Sequence, residues 1–436
     1  MHPLRIGPTG RYLESANGSP FFYLADTAWE LFHRLTREEA DSYLHNRAAK
    51  GFTVIQAVVL AEIDGLHTPN AYGACPLIDD DPTRPDDAYF SHVDYIINRA
   101  ESLHLTIGLL PTWGDKVGPV AWGSGPQIFT PDNAQRYGEF LGRRYRDKPI
   151  IWILGGDRPI ETETQRAIWR AMAMGIRAGD AGCHLITFHP AGGYSSSAFV
   201  HSETWLDFHL LQSGHHLVDN QNYRLVLADR ALSPVRPVLD SEPRYEDHPI
   251  NWQPDALGWF DAFDVRQGAY WSVLAGACGI TYGCHDLWQF WQPDRAPVAF
   301  ARTPWQTALD LPGACQMRHL RALFVSRPFD RLAPYQEAIL AGQEEGTGHI
   351  RAARAEDGSF LFAYLPTGNT VTLAMGAIAG PRVVAHWYDP REGNWARIGT
   401  YANTAVQSFT PPTRGRGEDW ILVLDDESAE YPTSTR

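Results

Sequence analysis

Apolar residues fall in short runs through the first two thirds of the chain, and stretches of helical spacing separate most of them. The runs cover residues 21–25, 52–59, 105–110, 150–154, 184–188, 207–211, 237–240 and 279–283. Each is of strand length. The run Ile150-Ile151-Trp152-Ile153-Leu154 has no polar position at all, the texture of a strand whose two faces both avoid water. Between the runs, residues 36–50 predict a helix with Thr36 as N-cap and Glu39 completing a capping box, closed by Gly51. Residues 88–103 place Val93, Ile96, Ile97 and Ala100 on one side. Further helices are predicted over 131–145 behind Thr130, over 164–178, over 220–232 and over 265–277.

Strands alternating with helices predict an α/β fold with parallel strands, and eight repeats predict a closed (β/α)8 TIM barrel. An open doubly wound sheet would carry a glycine-rich phosphate loop after its first strand. Here that position holds Ala25-Asp26-Thr27-Ala28-Trp29. Residues 5–20 read as a hairpin turning at Asn17-Gly18. Beyond residue 330 the texture changes. Residues 348–354, 359–365, 371–374, 382–387 and 420–424 read as short strands separated by Asp357-Gly358, Gly368-Asn369 and Glu392-Gly393, a small all-β sandwich. The expected division is a barrel over 1–328, a sandwich over 329–427 and a tail over 428–436. The sandwich shows no convergent acids or histidines and is expected to cover one flank of the barrel. A polar, proline-containing loop over 62–84 is expected to wall one side of the cleft.

Composition narrows the function. Of 436 residues, 44% are hydrophobic and 20% charged, a globular balance. The net charge of −14 argues against nucleic acid as a partner. No apolar run approaches the roughly 20 residues that span a bilayer, and no secretory signal opens the chain. Five scattered cysteines argue against a disulfide framework. A cytoplasmic setting is therefore the expectation. Fifteen tryptophans suit a cleft that stacks on sugar faces.

The residues at the strand ends are Asp26, Glu62, Trp113, Asp157, His189, Gln212, His215, Glu242 and Asp286. In a barrel these converge on one face. Asp157 follows strand four and Glu242 follows strand seven, across the mouth from each other. Such a carboxyl pair is what glycoside hydrolysis needs: one protonated to serve the leaving oxygen, one ionised to attack. Arg244 beside Glu242 is expected to lower its pKa, with Asp240 or Glu246 as alternative acids. A capping role for Asp157 competes with the catalytic one. Asp26, His189, Gln212, His215 and Asp286 are candidates to hold hydroxyls, and Trp113 and Trp288 to stack on the ring. His285, like His189 and His215, is a candidate to hold a hydroxyl or a metal, against the commoner reading of a hydrogen-bonded core or rim residue. The usual metal-hydrolase spacings are missing, so no metal or other cofactor is expected.

The segments Phe22-Tyr23-Leu24-Ala25-Asp26-Thr27-Ala28-Trp29, Trp152-Ile153-Leu154-Gly155-Gly156-Asp157, Gln212-Ser213-Gly214-His215 and Asp240-Ser241-Glu242-Pro243 together resemble glycoside hydrolase family 140. That family comprises apiosidase-like enzymes with a (β/α)8 barrel followed by a β-sandwich of collagen-binding type. Trp387-Tyr388-Asp389-Pro390-Arg391 is similar to its C-terminal domain. The resemblance implies Asp157 as general acid, Glu242 as nucleophile, and release of β-linked apiofuranose with retention. The missing secretion signal makes a small oligosaccharide or glycoside, rather than a polymer, the expected partner; the oligomeric state is left open. Two other readings stand beside it: a non-catalytic carbohydrate-binding barrel, and a metal-dependent hydrolase using His189, His215 and Asp286.

Overall fold

The computed structural model describes residues 3–118 and 123–433. Eight parallel strands form the barrel: β1 (Tyr23–Thr27), β2 (Val54–Leu60), β3 (Thr106–Thr112), β4 (Ile150–Gly155), β5 (Ile186–His189), β6 (His209–Gln212), β7 (Val238–Asp240) and β8 (Gly279–Tyr282). They pair in the order β5-β4-β3-β2-β1-β8-β7-β6. The remaining seam is bridged by Asp207 N to Ile186 O at 2.9 Å and Thr187 Oγ1 to Phe208 O at 2.7 Å. A short antiparallel strand, Tyr194–Ser195, pairs with β6 beside that seam.

Helices fill the crossovers: α1 (Arg37–Ala49), α2 (Asp87–Ser102), α3 (Pro131–Tyr145), α4 (Glu163–Asp180), α5 (Tyr223–Arg230) and α6 (Ala262–Leu274), with α7 (Pro312–Val325) after β8. The β5–β6 connection carries only the four-residue turn of helix Ser197–Val200. The capping box at Thr36 and Glu39 is formed, and Thr130 caps α3 with Asn133 as its reciprocal partner. The strands alternate as buried parallel strands do. Tyr23, Ala25, Ile151 and Ile153 fill the barrel interior, while Leu24, Trp152 and Leu154 pack outward against the helices. This alternation later decides which strand-end acids reach the cleft.

The N-terminal segment is three short strands, Arg5–Ile6, Leu13–Glu14 and Pro20–Phe21, rather than one hairpin. The C-terminal region is antiparallel throughout. One sheet runs Leu332–Pro334, Arg351–Ala355, Phe360–Leu365, Trp420–Asp426, Arg382–Tyr388, Trp395–Ala402, and a second runs Ile339–Ala341, Val371–Ala374, Val406–Phe409. Of the expected tail, residues 434–436 lie outside the described residues; 427–429 form a turn of 3-10 helix. Among the described residues no helix is long and apolar enough to cross a membrane, and all five cysteines are free thiols.

Candidate active site

A cavity of about 490 Å³ opens at the carboxyl ends of the strands, within the range that encloses a small ligand. Trp29, Glu62, Trp113, Asp157, Gln212, His215, Glu242, Tyr245, His248, Trp252, His285 and Trp288 are among its lining residues.

Asp157 is carried there by a backbone that only glycine allows. Gly155 and Gly156 stand at φ +87° and +126°, conformations closed to most side chains. A Cβ on Gly156 would sit 2.8 Å from Gly114 N and 2.9 Å from the Trp113 ring. The two glycines thus let the end of β4 lie flat against the Trp113 segment. Asp157 itself adopts φ +53°, a left-handed conformation that Asp tolerates better than most residues. The Arg158 guanidinium donates to the Asp157 carbonyl at 2.7 Å and lies 3.2 Å from Oδ2. Burial, then the negative charge of Glu242, push the Asp157 carboxyl up to about 6, against Arg158, His189 and a hydrogen bond from Gln212. The N-cap of α4 is Thr162, so Asp157 does not cap that helix.

Glu242 has the opposite surroundings. His189 Nε2 lies 2.9 Å from Oε2, off the line a hydrogen bond prefers, and His215 Nε2 lies 3.3 Å from Oε1. The other His189 nitrogen, Nδ1, is 3.1 Å from Pro190 O. The Asp157 amide also donates to that nitrogen, at 3.4 Å. Burial alone would raise Glu242; the close approach and charge of the two imidazoles outweigh it and hold the carboxyl below its ordinary value. The expected contribution of Arg244 is not made. Its Nη1 donates to Val218 O at 2.7 Å and Gln267 Oε1 at 3.0 Å.

The other expected site residues divide. Trp113, Gln212, His215 and Trp288 line the cavity, and His189 is fully buried behind Glu242. Asp26 and Asp286 do not line it. Asp26 falls on the outward face of β1, next in alternation to the inward Ala25, and accepts from Arg47 Nε at 2.6 Å and Tyr43 OH at 2.5 Å. The carboxyl of Asp286 is turned away by the returning chain. Its Oδ1 accepts from the backbone of Arg302 at 2.8 Å and Thr303 at 2.9 Å. The His189–His215–Asp286 set of the metal-dependent reading is therefore not assembled. Asp240 and Glu246 are structural as well. Asp240 binds Ser213 and Asn222, and Glu246 accepts from Tyr282 OH at 2.6 Å and Gly313 N at 2.9 Å.

Sequence reasoning did not single out Trp29, Arg158, Tyr245, His248 and Trp252. Tyr245, His248 and Trp252 lie in the irregular loop after β7, where periodicity carries no signal. Rings from that loop build one wall: His215 stacks on His248 at 4.4 Å, and His248 meets His285 edge-on at 4.5 Å. Burial pushes His285 down to about 4, and burial followed by the neighbouring imidazoles pushes His248 down, so these two rings present an uncharged surface. Of the 62–84 loop, Glu62 is the residue that lines the cavity.

A buried cleft holding one carboxyl pushed up to about 6 and another held below its ordinary value is equipped for acid–base work at a glycosidic bond, and comparison with known proteins gives that chemistry a class. One solved structure, described as a glycoside hydrolase, is 33% identical, with 99% of this chain and 98% of that one covered and a TM-score of 0.91. Another, described as a glycoside hydrolase family 5 protein from Bacteroides vulgatus, is 32% identical, covering 99% and 95%, also with a TM-score of 0.91. No curated protein matches the chain. The protein is a glycoside hydrolase.

Residues 8–331 match the family described as apiosidase-like, catalytic domain, and residues 333–425 match the putative collagen-binding domain of a collagenase. The chain belongs to the apiosidase-like family.

Proposed function

We propose that this enzyme is a retaining glycosidase of family 140 type that releases a β-linked apiofuranose, or a related furanose, from a small glycoside. Asp157 protonates the glycosidic oxygen as the bond to the anomeric carbon breaks. Glu242 attacks that carbon and forms the glycosyl-enzyme. Asp157, now ionised, takes a proton from water, whose oxygen displaces Glu242 and completes hydrolysis. The observation that carries this reading is the contrast between two carboxyls on one cavity, one raised by burial and a neighbouring anion, the other lowered by two imidazoles. A non-catalytic sugar-binding barrel would have no need of that contrast.

The test uses a panel of nitrophenyl furanosides and pyranosides that includes the β-apioside and the arabinofuranosides. Asp157→Asn and Glu242→Gln should each lose on the order of 10³-fold in kcat/KM, within the range general acid–base groups contribute, while melting within a few degrees of the wild type. Proton NMR of the first-formed product should show the β anomer. Full turnover by both variants would exclude this assignment, and an inverted product would reassign Glu242 as a general base.

A further inference from the structure

Glu62 stands two residues beyond the end of β2, and the backbone on either side of it is pinned. The Ala61 carbonyl accepts from Lys116 Nζ at 2.7 Å, and the Ile63 amide donates to Glu30 Oε1 at 3.1 Å. The side chain between them is directed into the cavity that holds Asp157 and Glu242. Glu62 is only 2% exposed, yet its Oε2 has no hydrogen-bond partner among the described residues. A buried polar atom left unsatisfied costs about 1–3 kcal/mol, and such an atom facing a ligand cavity marks a contact completed by the ligand.

The charges around Glu62 define what it can offer. The buried ammonium of Lys116 is committed to Asp115 at 2.9 Å and to the Ala61 carbonyl. His33 lies 2.6 Å from Glu30. The charged groups acting most on Glu62 are Glu30, Asp157, Asp115 and Glu242, all acids, and burial and their repulsion together push its carboxyl well up. A carboxylic acid that keeps its proton is donor and acceptor at once, the complement of a sugar hydroxyl. It also leaves Glu242 as the anion facing a developing oxocarbenium centre, without a second charge competing for the cation.

We propose that Glu62 is a third carboxyl of the substrate site, a positioning residue that exchanges hydrogen bonds with a hydroxyl of the sugar and holds the ring between Asp157 and Glu242. This rests on the glycosidase reading above. It takes no part in bond making or breaking.

The test pairs two variants with two readouts. Infrared difference spectra of wild type minus Glu62→Gln at neutral pH should contain a protonated-carboxyl band, and its absence overturns the proposal. With the nitrophenyl glycoside that the wild type hydrolyses fastest, Glu62→Gln, which keeps a donor and an acceptor, should stay within about fivefold in kcat/KM. Glu62→Leu should lose roughly 10- to 100-fold, the worth of one buried hydrogen bond to substrate, with KM raised and the melting temperature held. Equal loss in both variants would mean the negative charge matters, and overturns the proposal. So does unaltered kcat/KM in Glu62→Leu. Should the leucine variant fail to fold, the glutamine variant and the infrared band decide alone. Failure of the glycosidase reading would show separately, as full activity in Asp157→Asn and Glu242→Gln.

Discussion

Asp157 and Glu242 face the same cavity, and what stands beside each sets its task. On the proposed mechanism Asp157 must be protonated and Glu242 ionised in the free enzyme, so kcat/KM should follow both. With the Asp157 carboxyl pushed up to about 6, activity should be flat at mildly acidic pH and fall about tenfold per unit once pH passes that value. Glu242, held down by His189 and His215, should give no acid limb in that mildly acidic range. Asp157→Asn should abolish the alkaline limb, measured with a dinitrophenyl glycoside whose leaving group needs no acid. The same substitution bears on stability. The folded pKa of Asp157 lies above its unfolded value of 3.8. Ionising it therefore costs stability, beginning as pH rises past 3.8 and complete above about 6. Asp157→Asn should accordingly stabilise the fold by about 1–2 kcal/mol at pH 8, allowing for partial solvent exposure, and by nothing at pH 3. Thermal melts at the two pH values check this. Asp157 and Glu242, which share the cavity, were legible in the sequence because each closely follows an apolar run. Asp26 misled, because a strand shows its two faces alternately and the apolar run hides which residue points inward. Asp286 misled because the chain returns at 302–303 to claim its carboxyl, a contact that no local pattern announces.

At the level of the element, β4 and its Gly155-Gly156 exit set an exacting requirement next to the cavity. Ala at position 156 would need a positive φ closed to most side chains, and its Cβ would press on Gly114 N and the Trp113 ring. The chain can relieve that by shifting the 156–158 turn, which carries Asp157. Gly156→Ala should therefore cost on the order of 10²-fold in kcat, because a displacement near 1 Å suffices for that. Its melting temperature should fall far less than that of a core truncation such as Ile153→Ala, for which about 2–5 kcal/mol is usual. A variant with wild-type kcat would show that the turn is not what aims the carboxyl. The eight barrel strands and the capped helices α1 and α3 were legible because both rest on local chemistry: short, largely apolar runs, and Thr with a reciprocal partner three residues on. Strands 395–402 and 406–409 were not. Their positions are largely half-buried or exposed, so the chain shows no apolar run there, and they exist because neighbouring strands offer a ladder.

At the scale of the whole molecule, α6 joins the two regions. It follows the loop that carries Tyr245, His248 and Trp252, and every residue from Phe263 to Leu274 is buried. A helix apolar around most of its circumference needs cover on both sides; β8 and α7 supply one side and the C-terminal sheets the other. Arg266 donates from Nε to Asp419 at 3.1 Å and from Nη2 at 2.5 Å, Gln267 reaches Thr347 O at 2.7 Å, and Trp271 Nε1 reaches His349 O at 2.8 Å. Tyr364 OH completes the shell of Asp419 at 3.1 Å. Asp419→Ala would leave the Arg266 guanidinium buried without its anion, a loss of about 3–5 kcal/mol. The lining of the cavity includes nothing beyond Ala299, so kcat/KM of the folded variant should match the wild type within about twofold. Urea unfolding followed by activity and by fluorescence should then give one coincident transition at a lower midpoint. If fluorescence instead resolves a first step that leaves activity intact, the sheets are an appendage and α6 stands without them.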